Sequence, residues 1–185
     1  MISPTHSSSR RGLSLILYRM ARSARMDGAM FRSLKEDTSA ISQSIVALAL
    51  AGFSLGLGFT ASIGGDLTGV LLGGVAGIFL GLLIGFVWLS LTYVVVTRLF
   101  GGTSSYWGLG RPIFFASSPA LVFLLMLIPG SPVAPLIYAA GLAWIALSNV
   151  FAIKNAMGFD NQRSFITFII VAFVLLILYG VVMTL

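Results

Sequence analysis

Five long runs of uncharged, apolar residues dominate the chain and leave few options for its fold. They cover Ile41–Thr60, Leu67–Thr97, Arg111–Pro129, Pro132–Ile153 and Ser164–Leu185. A helix that crosses a bilayer needs about 20 such residues, with a range of about 17–25. Four runs fit that range, and the second is long enough to tilt or to project beyond the lipid. No Asp, Glu, Lys or Arg falls within them except Arg111, which opens the third. A charge at the centre of a spanning helix costs about 2.5–3.5 kcal/mol on insertion scales. Composition fits the same solvent: 58% of the 185 residues are hydrophobic and 9% are charged, against about 25% charged in soluble domains. The expected fold is all-α, an integral membrane bundle of five transmembrane helices preceded by an N-terminal interfacial amphipathic helix.

The leader divides into two parts. Residues 1–12 are small and polar and read as a disordered tail. Residues 13–38 carry Leu13, Ile16, Leu17, Met20, Ala24, Phe31 and Leu34 at helical spacing, with arginines elsewhere on the wheel. That pattern suits a helix lying in the headgroup layer. Asp27 falls on the apolar face and Gly28 follows it, so a break is expected there. Residues 1–38 are expected to be separable from the bundle of residues 39–185. The leader is too long, and the apolar run after it too full, for a cleaved signal, so the first run reads as an anchor.

Basic residues give the orientation. Arg10, Arg11, Arg19, Arg22, Arg25, Arg32 and Lys35 precede the first span; Arg98 and Arg111 lie between the second and third; Lys154 and Arg163 lie between the fourth and fifth. These are all 11 basic residues, and with five spans every one falls on the same side. Positive residues mark the cytoplasmic side. The N-terminus is therefore expected in the cytoplasm and the C-terminus outside, with Asp66 the sole charge on the outer face. Arg19, Arg22, Arg25, Arg32 and Lys35 are expected to face anionic lipid or a partner, each worth about 1 kcal/mol near the headgroups.

The strongest internal pattern is a glycine ladder. Gly65, Gly69, Gly73, Gly77, Gly81 and Gly85 recur every fourth residue in the second run, and Gly52 and Gly56 repeat that spacing in the first. Such stripes let helix backbones approach closely in lipid. The favoured reading is packing of the first two helices on each other; the sharper one is a homo-oligomer or partner interface. Pro119, after Ser117 and Ser118, is expected to kink the third helix. Ser148 and Asn149 read as interhelical hydrogen-bond partners. Tyr106, Trp107 and Tyr179 read as an aromatic belt. Pro129 and Pro132 around Gly130 mark a tight hairpin between the third and fourth helices.

Chemistry has little to stand on. There is no cysteine, and the single histidine, His6, cannot head a metal site or a triad alone. No carboxylates pair within or across a span, and the glycines belong to apolar helices rather than a phosphate loop. No catalytic residues, metal site or cofactor are expected. The basic leader is explained by lipid without nucleic acid. Coupled transport usually places an ionisable residue inside the membrane, and none is present beyond Arg111.

The order of three stretches resembles the Yip domain family (Ypt-interacting protein, the "Yip-one" domain) in its short bacterial and archaeal form. They are MDGAMFRSLKEDTSAISQSIVALAL from Met26, VVVTRLFGGTSSYWGLGRPIFFASSPALVFLLMLIP from Val94, and LAWIALSNVFAIKNAMGFDNQRSF from Leu142. Leu99-Phe100-Gly101-Gly102, Pro119 and the Lys154–Arg163 loop with Ala156 and Asp160 carry most of it. The resemblance implies five membrane helices, a cytoplasmic N-terminus and a prokaryotic cell membrane, and it supplies no catalytic residues. Eukaryotic relatives are linked to Rab-type GTPases through a longer N-terminal region that this chain lacks, so GTPase binding is not expected. The function expected first is a non-enzymatic scaffold or adaptor that acts through the bilayer, membrane-protein partners or a homo-oligomer. An accessory subunit of a larger, energy-transducing complex comes second and a passive transporter or channel third.

Overall fold

A computed structural model describes residues 5–128 and 132–184. The proline–glycine break at 129–131 and the side chain of His6 lie outside what is described. Two helices open the chain, α1 (Thr5–Ala24) and α2 (Gly28–Glu36). A 3-10 turn, Thr38–Ala40, leads into α3 (Ile41–Ser62), which is followed by α4 (Leu67–Leu99). The third span is composite: α5 (Tyr106–Phe115), then a 3-10 segment from Ser118 to Leu127. The fourth and fifth spans are α6 (Ala134–Met157) and α7 (Asn161–Met183). Five helical stretches are long and apolar enough to cross a membrane, and no strand occurs among the described residues. The chain is an all-α integral membrane protein.

The spans form a closed circuit. α3 packs on α4, α4 on α7, α7 on α6, and the third span closes the ring between α6 and α3. Burial is uneven around it: 72% of the third span's apolar window is inside the protein, against 6% for α4. Phe123 shows how the third span fits, since its backbone oxygen faces Gly58 and its ring faces Gly141. Lipid tails are as apolar as these side chains, so fit and close contact, not escape from water, place such a helix at the centre.

The start of the chain differs from the expected tail. α1 begins at Thr5, because lengthening an existing helix backward costs only propagation, not a new nucleus. The break near residue 27 is a capped junction. Met26 adopts a left-handed conformation (φ 57°), and the Asp27 carboxylate accepts from the Ala29 and Met30 amides at 2.9 and 3.2 Å. That is N-cap geometry, which starts α2 in a new direction.

The third span also differs. It begins at Tyr106, five residues before Arg111, so Arg111 lies inside the helix instead of opening it. Ser105 caps α5 by accepting from the Gly108 amide at 2.9 Å, which sets that early start. Pro119 does not kink a continuous α-helix. α5 ends at Phe115, and Pro119 sits in the first turn of the 3-10 segment, where a missing N–H costs nothing. A 3-10 helix rises about 2.0 Å per residue against about 1.5 Å for an α-helix. The conversion lets Ser118–Leu127 cover about 20 Å instead of about 15 Å, so a short segment still reaches across.

Candidate functional site: the closed basic end and the glycine-lined cavity

At one end of the bundle lie the N-terminal helices, the α4–α5 loop and the α6–α7 loop, the places that hold the basic residues. α2 is docked there. Phe31 and Leu34 are completely buried, together with Met20 and Met30, against Ala40, Ala47, Phe115, Ala116 and Ala152. Full burial of such side chains is worth about 1.5–3 kcal/mol each where the alternative is water. Residues 26–38 are therefore part of the bundle's closure and not a separable leader.

Arg111 fastens this closure. It is 3% exposed. Its Nε donates to the Leu34 carbonyl at 2.8 Å and its Nη2 to the Lys35 carbonyl. Both acceptors belong to the last turn of α2, whose carbonyls have no partner within the helix and form the negative end of its dipole. The planar, permanently charged fork can serve both. The one basic residue within a span is thus held against a helix C-terminus.

Asp37 joins α2 to α3. Its carboxylate accepts from the Ser39 amide at 3.0 Å and the Ser39 hydroxyl at 2.5 Å, and it pairs with Arg19. The Ser39 hydroxyl first, and the Arg19 guanidinium after it, hold the Asp37 carboxyl below its ordinary range. Arg19 also donates to Gln43 Oε1 at 3.0 Å. Asp27 is lowered as well, mainly by the hydrogen bond from Arg22, whose Nε lies 2.5 Å away. The same contact, after the hydrogen bond to Tyr18, raises Arg22.

The five basic residues assigned to lipid or a partner therefore separate. Arg19 is turned inward, with its side chain 13% exposed, because Asp37 and Gln43 neutralise it locally. Arg22 is tied to Asp27 and Tyr18, and Arg32 donates to Asn155 Oδ1 at 2.6 Å. Arg25 is exposed and Lys35 half-buried. Tyr106 and Trp107 are packing residues. Tyr106 stacks edge-on with Tyr93 at 5.5 Å, and Trp107 with Phe86 at 6.2 Å. Tyr179 is exposed.

The glycine ladder is spent inside the chain. A Cβ on Gly52 would lie 2.3 Å from the Gly77 carbonyl oxygen, and one on Gly56 would lie 2.1 Å from that of Gly73. Gly81 meets the Gly52 Cα, while Gly85 faces only the Leu48 side chain. Gly65 and Gly69 lie at the turn and the first coil of α4, beside Thr60 and Asp66. These contacts are all between α3 and α4 or their turn, so this face is not free to seat a second chain.

Behind the seam the circuit encloses a cavity of about 650 Å³, lined from all five spans. Gly56, Gly77 and Leu80 give its seam wall, Ser117 and Ala120 the third span, Tyr138 and Asn149 α6. Ser148 donates to the Ser23 carbonyl at 3.4 Å, an interhelical bond. Asn149 does not: its Nδ2 donates within its own helix, to Ile145 O at 3.0 Å. Among the described residues no three His, Cys, Asp or Glu side chains come together as a metal site.

A family model described as the Yip1 domain matches residues 27–183. The chain belongs to the Yip1 domain family. The match begins at Asp27, the cap of α2, so the Yip1 domain here includes the docked helix and its Arg111 clasp as well as the five spans. No curated protein and no solved structure matches the chain.

Proposed function

We propose that this Yip1-domain protein is a non-enzymatic membrane scaffold whose closed basic end is presented to the cytoplasm. The Yip1 family is not known for catalysis. The observation that carries the reading is the construction of that end. α2 is clamped over the spans, while α1 leaves Leu13, Leu17 and Tyr18 exposed beside the exposed Arg25. A helix with apolar and basic residues both outward suits a headgroup layer or the surface of a membrane-protein partner. The one-sided placement of the basic residues supports a cytoplasmic N-terminus. A reporter fused after Leu185 is expected to read extracytoplasmic; a cytoplasmic signal overturns the orientation.

Two deletions test the scaffold reading. Removal of residues 1–25 takes away α1 and spares the Asp27 cap, so the bundle is expected to extract and size normally while co-purifying proteins or binding to anionic vesicles decline. Removal of residues 1–38 is expected to destabilise the bundle, since it uncovers the surface beneath Phe31 and Leu34. An unchanged set of partners and unchanged vesicle binding without α1 would sink the proposal.

A further inference from the structure

The cavity inside the circuit carries polar groups that the protein itself leaves unused. Asn149 is 5% exposed and lines the cavity, and its Oδ1 has no hydrogen-bond partner. The bond from its Nδ2 to Ile145 O fixes which way the amide points. Trp88, on α4, lines the same space, and its buried Nε1 also lacks a partner. An unpaired buried polar group costs about 1–3 kcal/mol. Here one acceptor and one donor are left unpaired within a single, otherwise apolar chamber.

Their placement along the bundle is informative. Asn149 lies eight residues before Met157, the basic end of α6, or about 12 Å along the axis. Trp88 lies eleven residues before Leu99, the basic end of α4, or about 17 Å. From that level the cavity continues toward the opposite end between Gly77, Gly73 and Phe59, where the glycines make room that larger residues would fill. The chamber thus has a polar head nearer the basic end and an apolar body. No charged side chain lines it, so a carboxylate or phosphate would be buried there without a counter-ion. Its volume lies within the roughly 300–1,000 Å³ usual for small-molecule sites.

We propose that this cavity is a binding site for an uncharged lipid with a free hydroxyl headgroup, which donates to Asn149 Oδ1 and accepts from Trp88 Nε1. A hydroxyl is one donor with two acceptor lone pairs, so it supplies both missing bonds. Phosphatidyl lipids share the tail chemistry but bring a charge.

The full chain in phosphatidylcholine nanodiscs is labelled with a diacylglycerol carrying a photoactivatable diazirine on one acyl chain. The expected result is saturable labelling of peptides around Gly73–Trp88 and Tyr138–Asn149, displaced by unlabelled diacylglycerol. The O-methyl ether of that diacylglycerol keeps the acceptor and loses the donor, so it is expected to compete about tenfold less well. Asn149→Leu is expected to weaken labelling by about the same factor, and Ala146→Trp, which fills the cavity, to abolish it. Should either variant fail to fold, the ether comparison on the unaltered chain still decides. Equal competition by the ether, equal labelling by a photoactivatable phosphatidylcholine, or no saturable labelling overturns the proposal.

Discussion

The α3–α4 seam and the third span are both tightly packed parts of the same bundle, but they are built differently. The seam is backbone on backbone: glycine faces glycine at intervals of one helical turn, and any side chain there would strike a carbonyl. The third span is held by individual side chains. Phe123 sits between two glycines, Phe115 meets Phe31 and Leu34 in one cluster, and Arg111 reaches out of the helix to two carbonyls of α2. The seam works by absence of side chains, a local and periodic property. The third span works by particular partners, some more than 70 residues away in the chain. A repeated contact can absorb a fault at one position, whereas a clasp made by one residue has no substitute.

The largest effect is therefore expected at the clasp. Arg111→Ala leaves the last carbonyls of α2 without a donor, and hydrogen bonds from a charged group are worth about 1.5–3 kcal/mol each. Limited trypsin digestion should show early cleavage at Arg32 and Lys35, and the melting temperature in detergent should fall. Arg111→Lys is expected to rescue only in part, because an ammonium lacks the two-pronged fork. Protection equal to the parent in the alanine variant would remove Arg111 from the account.

Next comes the seam. Gly56→Ala puts a Cβ against the Gly73 backbone and is expected to cost about 1–3 kcal/mol, as over-packing does. Gly85→Ala meets only the Leu48 side chain and should cost less, and Gly180→Ala, with nothing within 4 Å, should be neutral. Thermal unfolding of the three variants reads the gradient. Equal losses at Gly56 and Gly180 would mean that backbone contact is not what the glycines provide.

The smallest effect concerns the ionic ties. Asp27 and Asp37 have folded pKa values below the ordinary 3.8, so their contribution is present above pH 3.8 and is lost as pH falls through the lower folded values. Hydrogen exchange of residues 13–40 should rise only in that acid window, while α3 and α4 stay protected. Asp27→Asn keeps a capping oxygen and loses the Arg22 pair, so a slight change is expected. Loosening already near neutral pH would mean that these carboxylates are not the ties.

Sequence by itself determined five spans, the common side of all the basic residues and the glycine pairing, because each is a local or periodic property that lipid and backbone geometry impose directly. Membership of the Yip1 domain family was legible in the order of motifs around Gly101, Pro119 and Asp160. Tertiary structure alone decided that Arg111 lies within a span, that Arg19 turns inward and that Pro119 starts a 3-10 segment. It also decided that α2 closes the bundle, and that Asn149 and Trp88 face one cavity. The reason is the solvent. In lipid an apolar helix loses little whether it faces neighbours or acyl chains, so hydropathy cannot tell the buried third span from the exposed α4. Steric fit and a few polar partners, distant in the chain, make that choice.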